Sequence, residues 1–103
     1  MSEPTEDTSI TRNDTEHRYE IHVGDVLAGF TEFEVNGRGA YVYPHTVIDP
    51  AFRGRGLSGE LIGYAMRDSA ARGETVVPVC PAVVKWLREN EVPGLDIAWR
   101  SES

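Results

Sequence analysis

The chain has 103 residues, 40% of them hydrophobic and 26% charged, enough for one globular domain with a modest core. Its net charge of −7 argues against a general nucleic-acid binder, which needs a basic face to neutralise phosphates. No run approaches the roughly 18 apolar residues of a membrane span, and the acidic start Met1-Ser2-Glu3-Pro4-Thr5-Glu6-Asp7 lacks the regions of a signal peptide, so a cytoplasmic location is the expectation.

Residues 1–15 are rich in Thr, Ser, Glu and Asp, with Ile10 almost the only apolar side chain. Such a segment buries too little surface to offset its ordering entropy. It is expected to be a disordered acidic tail ahead of one domain over residues 16–103. Tyr19, Ile21 and Val23 alternate with Glu20 and His22, the period of a half-buried strand. Gly24-Asp25 offers a two-residue turn. Val26 to Val35 predicts a second strand, with Leu27, Thr31, Phe33 and Val35 on one side and Glu32 and Glu34 on the other. After the turn signal Asn36-Gly37-Arg38-Gly39, Ala40 to Val47 reads as a third strand, bent at Pro44, which cannot donate to a sheet ladder.

Asp49-Pro50 ends the strand pattern. Leu57, Leu61, Ile62, Ala65, Met66 and Ser69 then form one apolar stripe at helical spacing, from about residue 57 to 72, with Gly73 as the stop. Thr75 to Val79 is a short β-branched strand. Pro81 suits the first turn of a second helix running to about Asn90. The stretch with Pro93-Gly94 and Trp99 reads as irregular or as a short terminal element. The order is β-β-β-α-β-α, an α+β fold.

The segment joining the third strand to the first helix carries the chemistry: Arg53-Gly54-Arg55-Gly56-Leu57-Ser58. The first N–H groups of a helix have no intrahelical partner, and the helix start is electropositive. Glycine allows close backbone approach, and guanidinium matches phosphate oxygens bidentately. Together these make an anion site, or else a basic loop that only turns the chain. The Gly-Lys-Ser/Thr ending of a Walker loop is absent. Gly54, Gly56 and Gly59 match Gly-x-Gly-x-x-Gly, but three antiparallel strands precede them, which is the wrong context for a dinucleotide fold.

These residues resemble the Arg/Gln-x-x-Gly-x-Gly/Ala signature of the GNAT acyltransferase superfamily. Arg53 stands at the Arg/Gln position, Gly56 at the glycine, and Ser58 replaces the usual Gly or Ala. Val77-Pro78-Val79-Cys80-Pro81 is similar to a Pro-x-Cys segment of small single-domain members, and the resemblance covers about residues 16 to 92. It implies an antiparallel three-stranded meander followed by α-β-α, with a mixed sheet that splays at its middle. It implies acetyl-CoA as co-substrate, its pantetheine arm pairing with strand edges at Val47 and Ile48. Its pyrophosphate would lie on Arg53, Gly54, Arg55, Gly56, Leu57 and Ser58. The small members lack the N-terminal helices that wall the acceptor site. The acceptor is therefore undefined, with an amine favoured by the acidic surface.

Cys80, the single cysteine, is either a buried structural thiol or a catalytic group. In the latter role it takes the acetyl group or donates a proton to the departing CoA thiolate. His45, just before the loop, is a candidate general base, because imidazole titrates near neutrality. The three histidines show no metal-ligand spacing, and no metal is expected. Tyr64, Met66 and Trp86 read as packing residues. Lys85 and Arg88 belong either to a solvated helix face or to a site for the CoA 3′-phosphate. The leading expectation is an N-acetyltransferase. Its rivals are a CoA-binding module without turnover and a protein-interaction domain without CoA.

Overall fold

The computed structural model describes residues 7–99. Eight strands and two helices follow one another. These are β1 Thr8–Asn13, β2 Arg18–Val23, β3 Val26–Glu32, β4 Glu34–Val35, β5 Tyr41–Tyr43, β6 Thr46–Ile48, α1 Leu57–Ala71, β7 Thr75–Pro78, α2 Pro81–Glu89 and β8 Asp96–Ile97. They form a sheet in the order β1-β2-β3-β6 and a second in the order β4-β5-β7-β8. The first is antiparallel throughout; in the second, β7 runs parallel to both β5 and β8. This is the mixed α+β architecture that the sequence pattern implies.

The two sheets arise because two predicted strands divide. Val26–Val35 divides at Phe33 into β3 and β4, and the third strand divides at Pro44-His45 into β5 and β6. Pro44 has no N–H for a ladder, so the chain changes partners there. Before it, β5 pairs with β7, and the Val79 and Cys80 N–H groups both donate to the Tyr43 carbonyl, at 3.2 and 2.8 Å. After it, β6 pairs with β3, with the Glu32 N–H donating to the His45 carbonyl at 3.1 Å. β6 is thus an edge strand, and its outer edge faces the place where the sheets part company. Gly29 permits the close β3–β6 approach: a Cβ there would stand 2.5 Å from the Val47 carbonyl oxygen.

α1 lays Leu57, Leu61, Ile62, Ala65 and Met66 against Tyr19, Ile21, Tyr43 and Val76. Val83 and Leu87 of α2 complete that core. Gly73, at φ +72°, follows the Arg72 cap as the stop signal requires. A bulge between Ile21 and His22 inserts Ala28 into β3. It reverses the alternation there, so Ala28 is buried and Leu27 half-exposed. Val35, expected inside, is exposed on the two-residue β4.

The expected tail over residues 1–15 is corrected from residue 8 onwards; residues 1–6 lie outside the described residues, as do 100–103 at the domain's other end. β1 pairs with β2 along its whole length, Thr8 opposite Val23 through Asn13 opposite Arg18. Ile10 packs against the core, and a cation two residues on ties the strand down further. The Arg12 side chain, 9% exposed, donates to the Tyr19 hydroxyl at 3.0 Å and to both Glu74 oxygens at 3.2 and 3.0 Å. Its guanidinium lies 5.5, 4.9 and 5.4 Å from the ring centroids of Tyr19, Phe33 and Tyr41.

Asp68 joins this network, accepting from Tyr19 Oη at 2.8 Å and Arg72 Nε at 2.7 Å. Desolvation alone would push its carboxyl up; the bonds from Arg72 and Tyr19 and the charge of Arg12 outweigh that and hold it below the usual range. Burial, then the bond to Asp68, pushes the Tyr19 hydroxyl up to about 12, so it stays a donor. A depressed folded-state carboxyl contributes stability above the ordinary carboxylate range and loses it as pH falls through the folded value. Thermal melts should therefore show an acid limb beginning near pH 4 that is flatter in Asp68→Asn. At neutral pH the variant should be less stable by about 1 kcal/mol, a charged hydrogen bond discounted for partial exposure.

Candidate functional site

The loop before α1 is built by local rules. Asp49 Oδ1 accepts the Ala51 N–H at 2.9 Å and caps a single 3₁₀ turn over Pro50–Phe52. Arg53 is extended, and Gly54 and Gly56 take φ of +85° and +74°. An L-residue in that region costs about 1–2 kcal/mol, so glycine is required at both positions. Gly56 is the N-cap of α1, with no side-chain cap, and its carbonyl accepts the Glu60 N–H at 3.3 Å. Among the described residues, the N–H groups of Leu57, Ser58 and Gly59 meet no backbone carbonyl. A Cβ at Gly54 or Gly56 would meet nothing within 4 Å, so both positions border open space.

A cleft of about 100 Å³ lies on this loop, lined by Ile48, Phe52, Arg53, Gly54, Gly56, Leu57 and Ser58. It shares Ser58 with a larger cleft of about 360 Å³ between the start of α1 and α2, whose wall includes Lys85 and Trp86. Ser58 stands between the loop cleft and the cleft along α2. The structure thus brings Ile48, Arg53, Gly54, Gly56, Leu57 and Ser58 to one concavity. Arg55 lays its guanidinium over the Phe52 ring, 5.2 Å from the centroid, at the rim. The Val47 side chain is exposed and lines a different cleft on the opposite face of the sheet. Of the two cations of α2, Lys85 lies on the groove wall, while Arg88 sits 5.9 Å over the Trp99 ring.

Cys80 is the N-cap of α2 and belongs to the core, 4% exposed. Its Sγ donates to Thr46 Oγ1 at 3.4 Å, and Thr46 Oγ1 lies 2.8 Å from Thr31 Oγ1. This chain of side chains spans the place where the sheets separate, from the end of β7 to the edge of β6. The sequence reading did not single out Thr31 and Thr46. The signal was there in outline: Thr46 follows Pro44 by two, so it faces the partner of the broken strand.

His45 points the other way. Its Nε2 lies 2.8 Å from Glu32 Oε1, and its side chain is 54% exposed. Consecutive strand residues face opposite sides, so His45 and Glu32 stand on the outer face while Thr46, Thr31 and Cys80 stand on the α1 face. The structure therefore does not bring the two predicted catalytic side chains into contact; it sets them on either side of β6. Among the described residues no cluster of His, Cys, Asp or Glu is placed to hold a metal, and no helix is long and apolar enough to cross a membrane.

Residues 18–93 match the family model described as GCN5-related N-acetyl-transferase. No curated protein matches the chain.

Proposed function

Since the chain belongs to the GCN5-related N-acetyltransferases, we propose that it moves an acetyl group from acetyl-CoA to an amine across the gap beside β6. The observation that carries this reading is the uncapped start of α1 opening onto a glycine-lined cleft. A pyrophosphate there is met by the free N–H groups and by Arg53. Lys85 on the adjoining groove is the cation for a further phosphate. Strand edges carry unpaired backbone groups. The outer edge of β6, at Val47 and Ile48, pairs with the pantetheine arm and places the thioester between His45 and Cys80.

Each side of the gap then has one proton-transfer task. On the outer face, Glu32 Oε1 stands 2.8 Å from His45 Nε2, so with the proton on Nε2 the other ring nitrogen, Nδ1, is the acceptor. His45 Nδ1 takes a proton from the incoming ammonium, and the freed nitrogen forms a C–N bond to the thioester carbonyl carbon. A backbone N–H of the gap stabilises the oxyanion. On the inner face, the C–S bond breaks, and the departing thiolate takes the Cys80 thiol proton. Solvent returns to Cys80 the second proton that the amine nitrogen loses.

The test is CoA release from acetyl-CoA with an amine panel, alongside mass spectrometry of the protein. Cys80→Ala should lower kcat about a hundredfold, at the low end of general-acid effects, with acetyl-CoA affinity unchanged and no acetylated Cys80 in the wild type. Normal turnover in Cys80→Ala would remove the thiol from the mechanism. An acetylated Cys80 that passes its acetyl group to the amine would replace the direct route with a covalent one. Binding of acetyl-CoA without release on any amine would point instead to a docking module.

A further inference from the structure

The outer face of the first sheet carries a second concavity, separate from the groove along α2. It holds about 210 Å³ and is lined by Leu27, Ala28, Gly29, Phe30, Val47, Asp49 and Pro50. Its floor is apolar and reaches solvent: Val47 is 42% exposed. Phe30 stands directly opposite Val47 in the β3–β6 register. One step along the same face, two residues on each strand and about 7 Å away, stands the Glu32–His45 pair. That pair lies where the chain leaves the sheet at Pro44. Beyond Phe30 and Val47, outside the cleft's own lining, the same face therefore carries a carboxylate and an imidazole.

We infer that this cleft is the acceptor site and that it takes a primary amine carrying a short apolar tail. The inference rests on the acetyl-transfer reading above and names the substrate class of that site. The tail lies over Leu27, Phe30 and Val47, and the ammonium reaches Glu32 and His45. The charges of the face agree with a cation. Glu20, Glu32 and Asp49 outnumber its one guanidinium, Arg18, and Arg18 is already engaged by Glu20 at 2.8 Å and by the Phe30 ring at 4.5 Å. His22 stands beyond Glu20, 3.9 Å from its carboxylate. The cleft is smaller than the roughly 300–1,000 Å³ of pockets for drug-sized ligands, so a short tail fits and a bulky body does not. A diamine gains nothing from it, since its second ammonium group would lie on Phe30 and Val47.

Two measurements on the full chain test this. In the first, hexylammonium is titrated into ¹⁵N-labelled protein without acetyl-CoA. The amides of residues 27–30 and 47 should shift most, and shifts confined elsewhere, or none, would overturn the inference. The second compares turnover of methylamine, propylamine, hexylamine and putrescine with saturating acetyl-CoA. kcat/KM should rise at least tenfold from methylamine to hexylamine and stay low for putrescine. Leu27→Lys should remove that rise, while Leu27→Gln, of similar length without the charge, keeps part of it; acetyl-CoA affinity should be the same in both. Equal kcat/KM along the series, or a wild-type series in Leu27→Lys, would place the acceptor elsewhere and leave acetyl transfer standing. Hexylammonium shifts at the cleft in a protein that binds no acetyl-CoA would do the reverse, sinking the transfer reading and keeping the amine site.

Discussion

Replacing Gly56 with glutamate is expected to abolish acetyl-CoA binding while the domain stays folded. Gly56 sits at φ +74°, so any L-residue there strains the backbone by about 1–2 kcal/mol. Gly56→Ala carries that same strain, and its added Cβ enters open space. The difference between the two variants is then the carboxylate alone, carried by the residue that directly precedes the first N–H groups of α1. Like charges brought together at a binding interface cost several kcal/mol. About 3 kcal/mol corresponds to a loss of about a hundredfold in affinity. Calorimetric titration with acetyl-CoA should show Gly56→Ala within about tenfold of wild type and Gly56→Glu at least a hundredfold weaker. Equal affinities in the two variants would mean that no anion sits at the start of α1.

The second large effect falls far from that loop, at Arg12. Its guanidinium is enclosed by three aromatic rings, bonded to Tyr19 and Glu74, and paired with Asp14 at 2.8 Å. Truncation leaves the Glu74 carboxylate, only 11% exposed, without its cation. Removing one partner of a buried ion pair costs about 3 kcal/mol or more, because the remaining charge is uncompensated. Arg12→Met should lower unfolding free energy by about that amount in urea melts and expose the β1 amides to hydrogen exchange. Arg12→Lys should fall between, since an ammonium keeps the charge but not the planar fork. A loss within about 0.5 kcal/mol, the scale of ordinary surface substitutions, would show that β1 is not held by this residue.

Arg12 also marks where the sequence stops being informative. Helices and central strands announce themselves through periodic apolar residues, and the stripe from Leu57 to Ser69 and the alternation over Tyr19–Val23 placed α1 and β2 closely. β1 has no such stripe. Beside the single apolar contact of Ile10, its anchor is an arginine whose partners, Glu74 and Asp68, lie about sixty residues downstream, as the 62-residue separation to Glu74 shows. No local pattern encodes a contact of that range. The division of the third strand was half legible, because Pro44 forbids a continuous ladder, but the choice of partners on either side is a tertiary outcome.

The candidate site shows the same boundary. The shape of the loop before α1 was readable because it is local: glycines at left-handed φ, cations, and a helix start are neighbours in the chain. The positions of Cys80 and His45 on opposite sides of β6 were not. That arrangement depends on Thr46 facing Thr31 and Cys80, so that His45 must face outward to Glu32. Val47, expected on the cofactor, shares the outer face with His45 by the same alternation.

The most direct measurement is an amide chemical-shift titration of the wild-type chain with CoA. The N–H resonances of Gly54, Gly56, Leu57, Ser58 and Gly59 should move together and most strongly, with those of Val47 and Ile48 following. If the loop resonances stay still while CoA binds, or if CoA causes no shifts at all, the diphosphate does not rest on the start of α1 and the proposed chemistry has no donor.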